Sequence, residues 1–345
     1  MDDMVIDPGP SVDAGNERLP AIPVIDAADA VALARAETAR ARALIDEGRR
    51  VYGGVPLALA SRLSRRWLGR VDGPYGDELD AVVDLLGDDG AYMLNLSYEW
   101  CCTSGVAADP AGPGMRLLRA LDWPTAGLGR HLAVARTAGA AGGYLNVTWP
   151  GFVGVLTALA PGRFAAALNQ APMRRRGLPL PLDWLGNRLG VWRRRGLPPT
   201  HLLRLAFDRC RSYAEARDLL CREPVALPVL YVLAGTEPGE GCLIERLEDR
   251  AFVHDAPAVA ANHWQTPGLG GDPRGCESHQ RHAHLAATQE SAADGFDWLA
   301  PPVLNDCTRV AVVANAARGR LAVQGYEAET AVTRPLRLNR AGGDA

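Results

Sequence analysis

The stretch YEWCCTSGVA at residues 98–107, continued by RALDWP at residues 119–124, decides how the rest of the chain is arranged. An apolar run with small residues leads to a cysteine, turns in a segment rich in Pro and Gly, and returns with Arg119 and Asp122. In a strand–turn–strand hairpin, the start of one strand lies beside the end of the other. We therefore predict that Cys102 lies beside Arg119 and Asp122. A neighbouring cation favours the thiolate, which is the nucleophilic form of cysteine.

These residues resemble the acid ceramidase and N-acylethanolamine acid amidase group of N-terminal-nucleophile (Ntn) amidohydrolases, whose relatives include the choloylglycine hydrolases and penicillin V acylases. The resemblance begins with Cys-Thr-Ser-x-Val-Ala at Cys102 and with Arg-x-x-Asp at Arg119. It resumes in segments whose order and spacing match, namely GFVGVLT at 151–157, LNQ at 168–170, SYAEARDLL at 212–220, GEGC at 239–242 and Asn262. It therefore covers most of the chain between about residues 94 and 325.

The order of the predicted elements indicates an α+β fold. Residues 1 to about 24 are rich in Pro, Asp and Gly and are expected to form a loose arm. Asp26, followed three residues later by Asp29, predicts the start of a helix over 27–47 that Gly48 ends. A second helix is predicted over 56–68, and apolar spacing predicts a third over 77–86. Residues 183–222 are predicted to be helical again, with a short helix over 213–220. Strands are predicted at about 102–108, 115–122, 132–138, 143–149, 152–159, 163–169, 227–235, 241–246, 251–254, 309–314 and 320–324.

The family resemblance implies a specific arrangement of these layers, a four-layer αββα sandwich. It also implies two regions, a helical N-terminal region over 1–101 that corresponds to a small subunit or propeptide, and a catalytic region over 102–345.

Composition excludes several other classes of protein. The chain has 345 residues, a net charge of -3 and 48% hydrophobic residues, which is an ordinary soluble balance. All 37 basic residues are Arg, which is typical of GC-rich, bacterial genomes and leaves no lysine as a catalytic base. Nucleic-acid binding would require a basic domain and is not expected. The N-terminus shows no secretory signal and no run is long enough to span a membrane. Seven scattered cysteines favour a reducing compartment, so we expect a cytoplasmic protein.

The resemblance implies that the bond between Cys101 and Cys102 is cut by the protein itself. Cys102 then acquires a free α-amino group, whose ordinary pKa of about 7.7–8.0 lets it accept the thiol proton. In this mechanism Arg119 holds the thiolate and the substrate carbonyl by charge, and Asp122 orients the α-amino group. The alternative for Arg119 and Asp122 is an internal ion pair at a strand end.

Three later elements complete the catalytic set implied by the resemblance. Asn262 matches the asparagine that donates its side-chain NH2 to the oxyanion, although an asparagine in a loop also commonly forms a turn. Ser278-x-x-Arg281 resembles the late Ser/Arg element that supports the site, with Arg274 as an alternative. Asn169 and Gln170 fall where relatives carry an Asn-Glu pair, and they are expected to orient the substrate together with Trp123 and Trp184.

Residues 276–284, CESHQRHAH, offer one thiol and three imidazoles that could bind zinc. On a helix, however, His279 and His282 share a face while His284 does not, and no second cluster completes the set. We interpret this segment as a solvated helix start and expect neither a metal nor a cofactor.

The sequence thus predicts a cysteine Ntn amidohydrolase that cleaves a small-molecule amide of an acylated amine through an acyl-enzyme. An acyltransferase with the same acyl-enzyme, or an uncleaved and inactive lipid-binding relative, is the alternative. Residues 173–198 combine two Arg triplets with Trp184 and Trp192. This composition suits a lid over an acyl chain or a surface that contacts anionic lipid, and equally a solvated helix rim. The oligomeric state is not predicted.

Overall fold

The computed structural model describes residues 4–7, 18–98, 100–292 and 294–340, which form two β-sheets and the helices that flank them. The strands in chain order are β1 (Met4–Ile6), β2 (Val24–Asp26), β3 (Cys101–Ala108), β4 (Met115–Asp122), β5 (Ala133–Gly139), β6 (Gly142–Thr148), β7 (Thr157–Ala160), β8 (Phe164–Gln170), β9 (Val229–Ala234), β10 (Gly241–Arg246), β11 (Ala251–Asp255), β12 (Ala258–Ala260), β13 (Thr308–Asn315), β14 (Arg320–Glu327), β15 (Thr330–Ala331) and β16 (Leu336–Arg340). The α-helices are α1 (Ala30–Ala36), α2 (Thr38–Tyr52), α3 (Gly54–Leu68), α4 (Gly76–Leu86), α5 (Gly90–Leu96), α6 (Leu180–Trp192), α7 (Pro199–Arg209), α8 (Tyr213–Arg222) and α9 (Ser278–Thr288).

The two sheets have different strand orders. Sheet A runs β1-β16-β14-β13-β4-β3-β12, with β15 paired to β14, and sheet B runs β11-β10-β9-β8-β7-β6-β5-β2. The pairs are antiparallel except for β2 with β5. Central strands such as β9 and β13 are buried along their whole length. They read as continuous apolar runs because one face packs on the other sheet and the other face on helices.

The hairpin of β3 and β4 forms as predicted. Gly114 closes its connection at a φ of 81°, a conformation that is costly for a residue with a Cβ atom. The register pairs Ser104 with Arg119 and Cys101 with Asp122. Because successive side chains of a strand point to opposite faces, Cys102 and Ser104 lie on the face toward sheet B, whereas Cys101 lies on the outer face.

Helices cover the outer faces of both sheets. Helix α9 packs its Leu285 against Leu118 and Ala120 of β4 on the outside of sheet A. Helices α7 and α8 pack on the outside of sheet B, and the main apolar core fills the space between the sheets. The layers therefore follow the order α, β, β, α, and the predicted four-layer αββα sandwich of the α+β class is confirmed.

The N-terminal region departs from the predictions in three ways. Strand β1 pairs with β16 and strand β2 pairs with β5, so this region is not purely helical and the predicted loose arm is wrong for residues 4–6. Residues 8–17 lie outside the described ranges. The predicted helix over 27–47 is two helices, which begin after Asp29 rather than Asp26 because the Asp29 carboxylate accepts the N–H of Ala32. Gly48 does not end the second one, which continues to Tyr52.

Other elements agree with or extend the predictions. Helices α3 and α4 match the predicted ranges to within two residues, and α7 and α8 lie in the predicted helical part. Helix α5 and the short strand β12 were not predicted. The division of the chain at residues 101 and 102 stays a prediction. Among the described residues, no helix has the length and apolar content needed to cross a membrane.

Candidate active site

Cys102 is completely buried on the inner face of β3, in the layer between the two sheets. Burial raises the pKa of its thiol, and the adjacent Arg119 guanidinium opposes that rise by stabilising the thiolate. The neighbouring Cys101 lies on the other face, where burial raises the pKa of its thiol to about 12. Of the two cysteines, the one with Arg119 on its own face is therefore the better nucleophile.

Arg119 is held in the same layer by polar contacts. Its Nη1 donates to Asn169 Oδ1 at 2.8 Å and to Ser104 Oγ at 3.3 Å. Its Nε and Nη2 bond no oxygen or nitrogen atom among the described residues, although the side chain is fully buried. No carboxylate of the described chain lies within ion-pair distance of it. Arg119 thus keeps a positive charge and free donors beside the thiol, which a developing negative charge can use.

Asp122 does not face Cys102, and the predicted contact is wrong for the uncut chain. Because strand side chains alternate, Asp122 points to the outer face of sheet A, opposite Cys101. Its carboxylate accepts hydrogen bonds from Thr308 Oγ1 and Asn305 Nδ2, both at 3.0 Å. Burial raises the pKa of Asp122, while Arg281 at 3.7 Å and these two hydrogen bonds counteract the rise.

Asn262, and not Asp122, is bonded to the nitrogen of Cys102. The backbone N–H of Cys102, which becomes the α-amino group after a cut, donates to Asn262 Oδ1 at 2.8 Å. The Asn262 Nδ2 donates to the main-chain oxygen of Gln170 at 2.8 Å. A carboxamide NH2 carries two hydrogens, so one remains for a further acceptor. Asn262 can therefore orient the amine and also donate to an oxyanion.

Arg281 connects the parts of this site. Its Nη1 donates to the main-chain oxygen of Cys102 and to Thr103 Oγ1, both at 2.8 Å. Its Nη2 donates to Asn262 Oδ1 at 3.0 Å, and its carboxylate neighbour is Asp122. The side chain is 1% exposed, so these contacts are screened little by solvent. Arg281 thus contacts Cys102 through its main-chain oxygen, and its role in catalysis stays a prediction.

The end of β8 brings Asn169 and Gln170 to the site from sheet B. Asn169 accepts from Arg119 and from Ser104 Oγ through its Oδ1, and its Nδ2 donates to the main-chain oxygens of Ala260 and Ala261. Gln170 Nε2 donates to the main-chain oxygen of Tyr98. In the uncut chain, both amides hold backbone in place around Cys102.

The histidine-rich helix α9 contributes His279 and His282 to a cluster of rings that also contains His263, a residue not predicted from the sequence. Ser278 Oγ accepts the N–H of Asn262 and is bonded to Nδ1 of His263, both at 2.9 Å. The ring of His263 lies 3.9 Å from that of His279 and 5.3 Å from that of His282, centre to centre. Burial and these rings lower the pKa of His263 to about 4. Its place next to Asn262 in sequence was the only signal for it.

No group of His, Cys, Asp and Glu side chains in the described ranges is arranged to hold a metal ion. The predicted interpretation of the histidine segment as a helix start agrees with the observed start of α9 at Ser278. Two of its three histidines, together with His263, form the ring cluster beside the site.

Trp123 and Trp184 are the aromatic residues predicted to contact the substrate. Trp123 is buried next to Trp100 and Trp149, at ring distances of 5.2 and 5.8 Å. It lines a cleft of about 520 Å³ whose other lining residues are mostly apolar, including Phe152 and Leu94. We refer to this space as the apolar cleft. The side chain of Trp184 falls outside what the structure describes.

Comparison with known proteins relates the chain to two groups of enzymes. It is 26% identical over 202 residues to acid ceramidase of Heterocephalus glaber, covering 52% of this chain and 49% of that protein. It is 31% identical over 183 residues to N-acylethanolamine-hydrolyzing acid amidase of Oryctolagus cuniculus, covering 51% and 48%. A longer match, 26% over 295 residues, covers 70% of acid ceramidase of Balaenoptera acutorostrata scammoni. The chain spans about half the length of the first two relatives.

Solved structures and family models complete the comparison. A Caenorhabditis elegans ortholog of N-acylethanolamine-hydrolyzing acid amidase matches with a TM-score of 0.49 and 22% identity, over 63% of this chain and 93% of that one. The conjugated bile acid hydrolase from Clostridium perfringens matches with a TM-score of 0.40 and 10% identity, over 67% and 91%. No family model matches the chain.

Proposed function

Because the chain is a relative of the acid ceramidases and N-acylethanolamine acid amidases among the Ntn hydrolases, we propose that it cleaves the linear amide of an acylated amine through an acyl-enzyme on Cys102. One observation carries the proposal. The backbone nitrogen of the buried Cys102 donates to Asn262 Oδ1 at 2.8 Å, and the thiol of the same residue lies beside the Arg119 guanidinium, which has no carboxylate partner among the described residues. Nucleophile and future base thereby belong to one residue, Cys102, and the cation lies beside it.

Maturation would begin with the Cys102 thiol. Its sulfur attacks the carbonyl carbon of Cys101, the peptide C–N bond breaks, and the thiol proton passes to the departing nitrogen. The resulting thioester is hydrolysed by water, which leaves a carboxylate on Cys101 and both a free thiol and a free α-amino group on Cys102. The cut separates Cys101 from Cys102 and divides the chain into fragments 1–101 and 102–345.

In turnover, the α-amino group of Cys102 would accept the thiol proton, and the thiolate would attack the amide carbonyl of the substrate. Arg119 and the second N–H of Asn262 would stabilise the oxyanion. The amine leaves with a proton from the α-ammonium group, and water then hydrolyses the thioester and releases the fatty acid. Asn262 Oδ1 orients the α-amino group, and Asp122 acts through Arg281, which holds the Cys102 carbonyl.

The apolar cleft beside Trp123 would accommodate the acyl chain. Its walls carry no charged residue among the described residues, which suits an alkyl group rather than a polar one. Each buried methylene contributes about 0.8 kcal/mol, so we expect kcat/KM to rise with chain length until the cleft is full. All seven cysteines are unpaired, which supports our proposal of a reducing, cytoplasmic setting.

The experiment is to follow the cut and the activity together. Intact mass measurement of the active protein should show the fragments 1–101 and 102–345, and Cys102→Ala should abolish both the fragments and the hydrolysis of N-acyl amines. Cys101→Ala is the matched control, because its side chain lies on the other face, and it should be cut and active. An active, uncut chain would contradict the mechanism. An uncut, inactive chain would favour a lipid-binding role, and loss of activity in Cys101→Ala alone would move the nucleophile by one residue.

A further inference from the structure

A second cleft of about 1000 Å³ is lined by the end of β8, by helix α6 and by Arg274. Two of its lining residues are bonded to Asn262 and to Arg281, which contact Cys102. Gln170 accepts from Asn262 at 2.8 Å, and the main-chain oxygen of Arg274 accepts from Arg281 at 3.3 Å. Tyr98, whose main-chain oxygen accepts from Gln170, also lines it. A molecule in this cleft therefore lies next to the residues that hold Cys102.

A row of aromatic rings separates the two clefts. Tyr98 lines the second cleft and packs against Trp100 in a tilted arrangement, with ring centres 5.1 Å apart. Trp100 packs in the same way against Trp123 at 5.2 Å, and Trp123 lines the apolar cleft. The two spaces therefore lie at the two ends of this row of rings. If the acyl chain occupies the apolar cleft, the amine portion of the substrate has the second cleft available.

One part of the second cleft has an excess of positive charge among the described residues. Three arginines, Arg174, Arg176 and Arg194, line it together with one carboxylate, that of Glu248.

Glu248 does not neutralise this excess. It is shared by Arg174 at 2.9 Å and Arg194 at 2.5 Å, so one charge of that trio is uncompensated. Arg176 has no carboxylate within ion-pair distance among the described residues. The nearby Asp183 is occupied by the side chain of Arg175 at 2.8 Å and accepts only the backbone N–H of Arg176.

The remaining lining is apolar, with Trp67, Leu96, Val191 and Trp192 around the cationic rim. Guanidinium groups bind carboxylates through paired, charge-assisted hydrogen bonds, which a neutral hydroxyl cannot form. We propose that the amine portion of the substrate carries a carboxylate, so that the substrate is an N-acyl amino acid whose carboxylate is bound by Arg174, Arg176 and Arg194. This inference rests on the proposed function and adds the class of amine.

The test uses two substrates that differ only in this group, N-dodecanoylglycine and N-dodecanoylethanolamine. The cut protein should show a kcat/KM at least about tenfold higher for the glycine compound, and this ratio should fall as salt is added. Arg176→Gln should reduce the ratio about tenfold. Arg193→Gln, which changes an exposed arginine outside the cleft, is the matched control and should leave the ratio as it is.

Binding provides a measurement that does not depend on turnover. In calorimetry with Cys102→Ala, N-dodecanoylglycine should bind more tightly than the ethanolamine compound, and Arg176→Gln should remove the difference. Equal hydrolysis and equal binding of both compounds would overturn the inference while leaving the proposed function intact. Selective binding without hydrolysis by the wild type would instead contradict the proposed function and leave the charged cleft supported.

Discussion

At the scale of single residues, the environment of Cys102 explains why this cysteine differs from the other six. Burial alone makes a thiol inert, because it raises the pKa and disfavours the thiolate. Arg119 changes this balance, since its guanidinium shares the inner face of the hairpin and is not neutralised by a carboxylate among the described residues. Cys101, one residue away, faces the other side of the sheet and lacks this cation on its own face.

Asn262 carries two separable roles, which two variants can distinguish. Asn262→Ala removes the acceptor for the Cys102 nitrogen and also the N–H proposed for the oxyanion, so kcat should fall by at least about 10²-fold. Asn262→Asp retains an oxygen acceptor and removes only the donor. We expect self-cleavage to be slowed less in the Asp variant than in the Ala variant, while turnover is lost in both. Mass measurement of the fragments and steady-state kinetics check this.

Near wild-type turnover of Asn262→Ala, with an unchanged circular dichroism spectrum, would remove Asn262 from the catalytic group. Turnover retained in Asn262→Asp alone would leave the orienting role and exclude the donor role.

At the scale of elements, helix α9 is the part that positions the site from outside sheet A. Its first turn presents Ser278 and Arg281, which are three residues apart and therefore lie on the same face. Ser278 bonds the backbone of Asn262, while Arg281 bonds its side chain and the Cys102 carbonyl. One helix thus sets the position of two segments that are far apart in the chain.

Ser278→Ala tests this role of the helix. The substitution leaves the buried N–H of Asn262 without its acceptor, which should lower the free energy of unfolding by about 1–3 kcal/mol and slow turnover. Thr288→Ala is the control on the same helix, because the Thr288 hydroxyl bonds only the main chain of His284 one turn back. Chemical denaturation and kcat of both variants check the expectation. Equal effects of the two substitutions would show that α9 contributes general stability only.

At the scale of the whole molecule, four histidines have a lowered pKa in the folded chain. Burial lowers the pKa of His201 to about 3 and that of His263 to about 4, and it also lowers the pKa of His131 and His282. An unfolded histidine has a pKa of about 6.5. Below that value the unfolded chain binds more protons than the folded chain, so acid favours unfolding. Asp122, whose pKa burial raises, acts in the opposite direction.

We therefore expect the melting temperature to fall as the pH is lowered from about 6.5 toward 4, since four groups oppose one. His201→Gln should make this fall less steep, because glutamine removes the proton that His201 binds in the unfolded chain and is kept from binding in the folded chain. Calorimetry at a series of pH values measures both slopes. A melting temperature that is constant or rises over this range would contradict the assignment.

Features that depend on neighbouring residues followed from the sequence. The hairpin of β3 and β4, helices α3 and α4, and most of the strands were predicted because alternation, helical spacing and turn residues act within about twenty residues. The placement of Cys102 and Arg119 on one face belongs to this group, since a hairpin connects their strands. Asp29 was missed as the helix cap, because Asp26 and Asp29 both offer a cap signal and only packing selects one of them. The break at Glu37 was missed as well.

By itself, the sequence determined the fold class, the nucleophile candidate and the list of polar residues around it. Only the tertiary structure decided which atoms meet. Asn262 reaches the Cys102 nitrogen across 160 positions, and Arg281 reaches its carbonyl across 179. These contacts depend on β12 lying beside β3 and on α9 lying over both, an order of strands that no local pattern encodes. The same strand alternation that buries Cys102 turns Asp122 to the outer face, because a side chain's face is set by register and not by its distance along the chain.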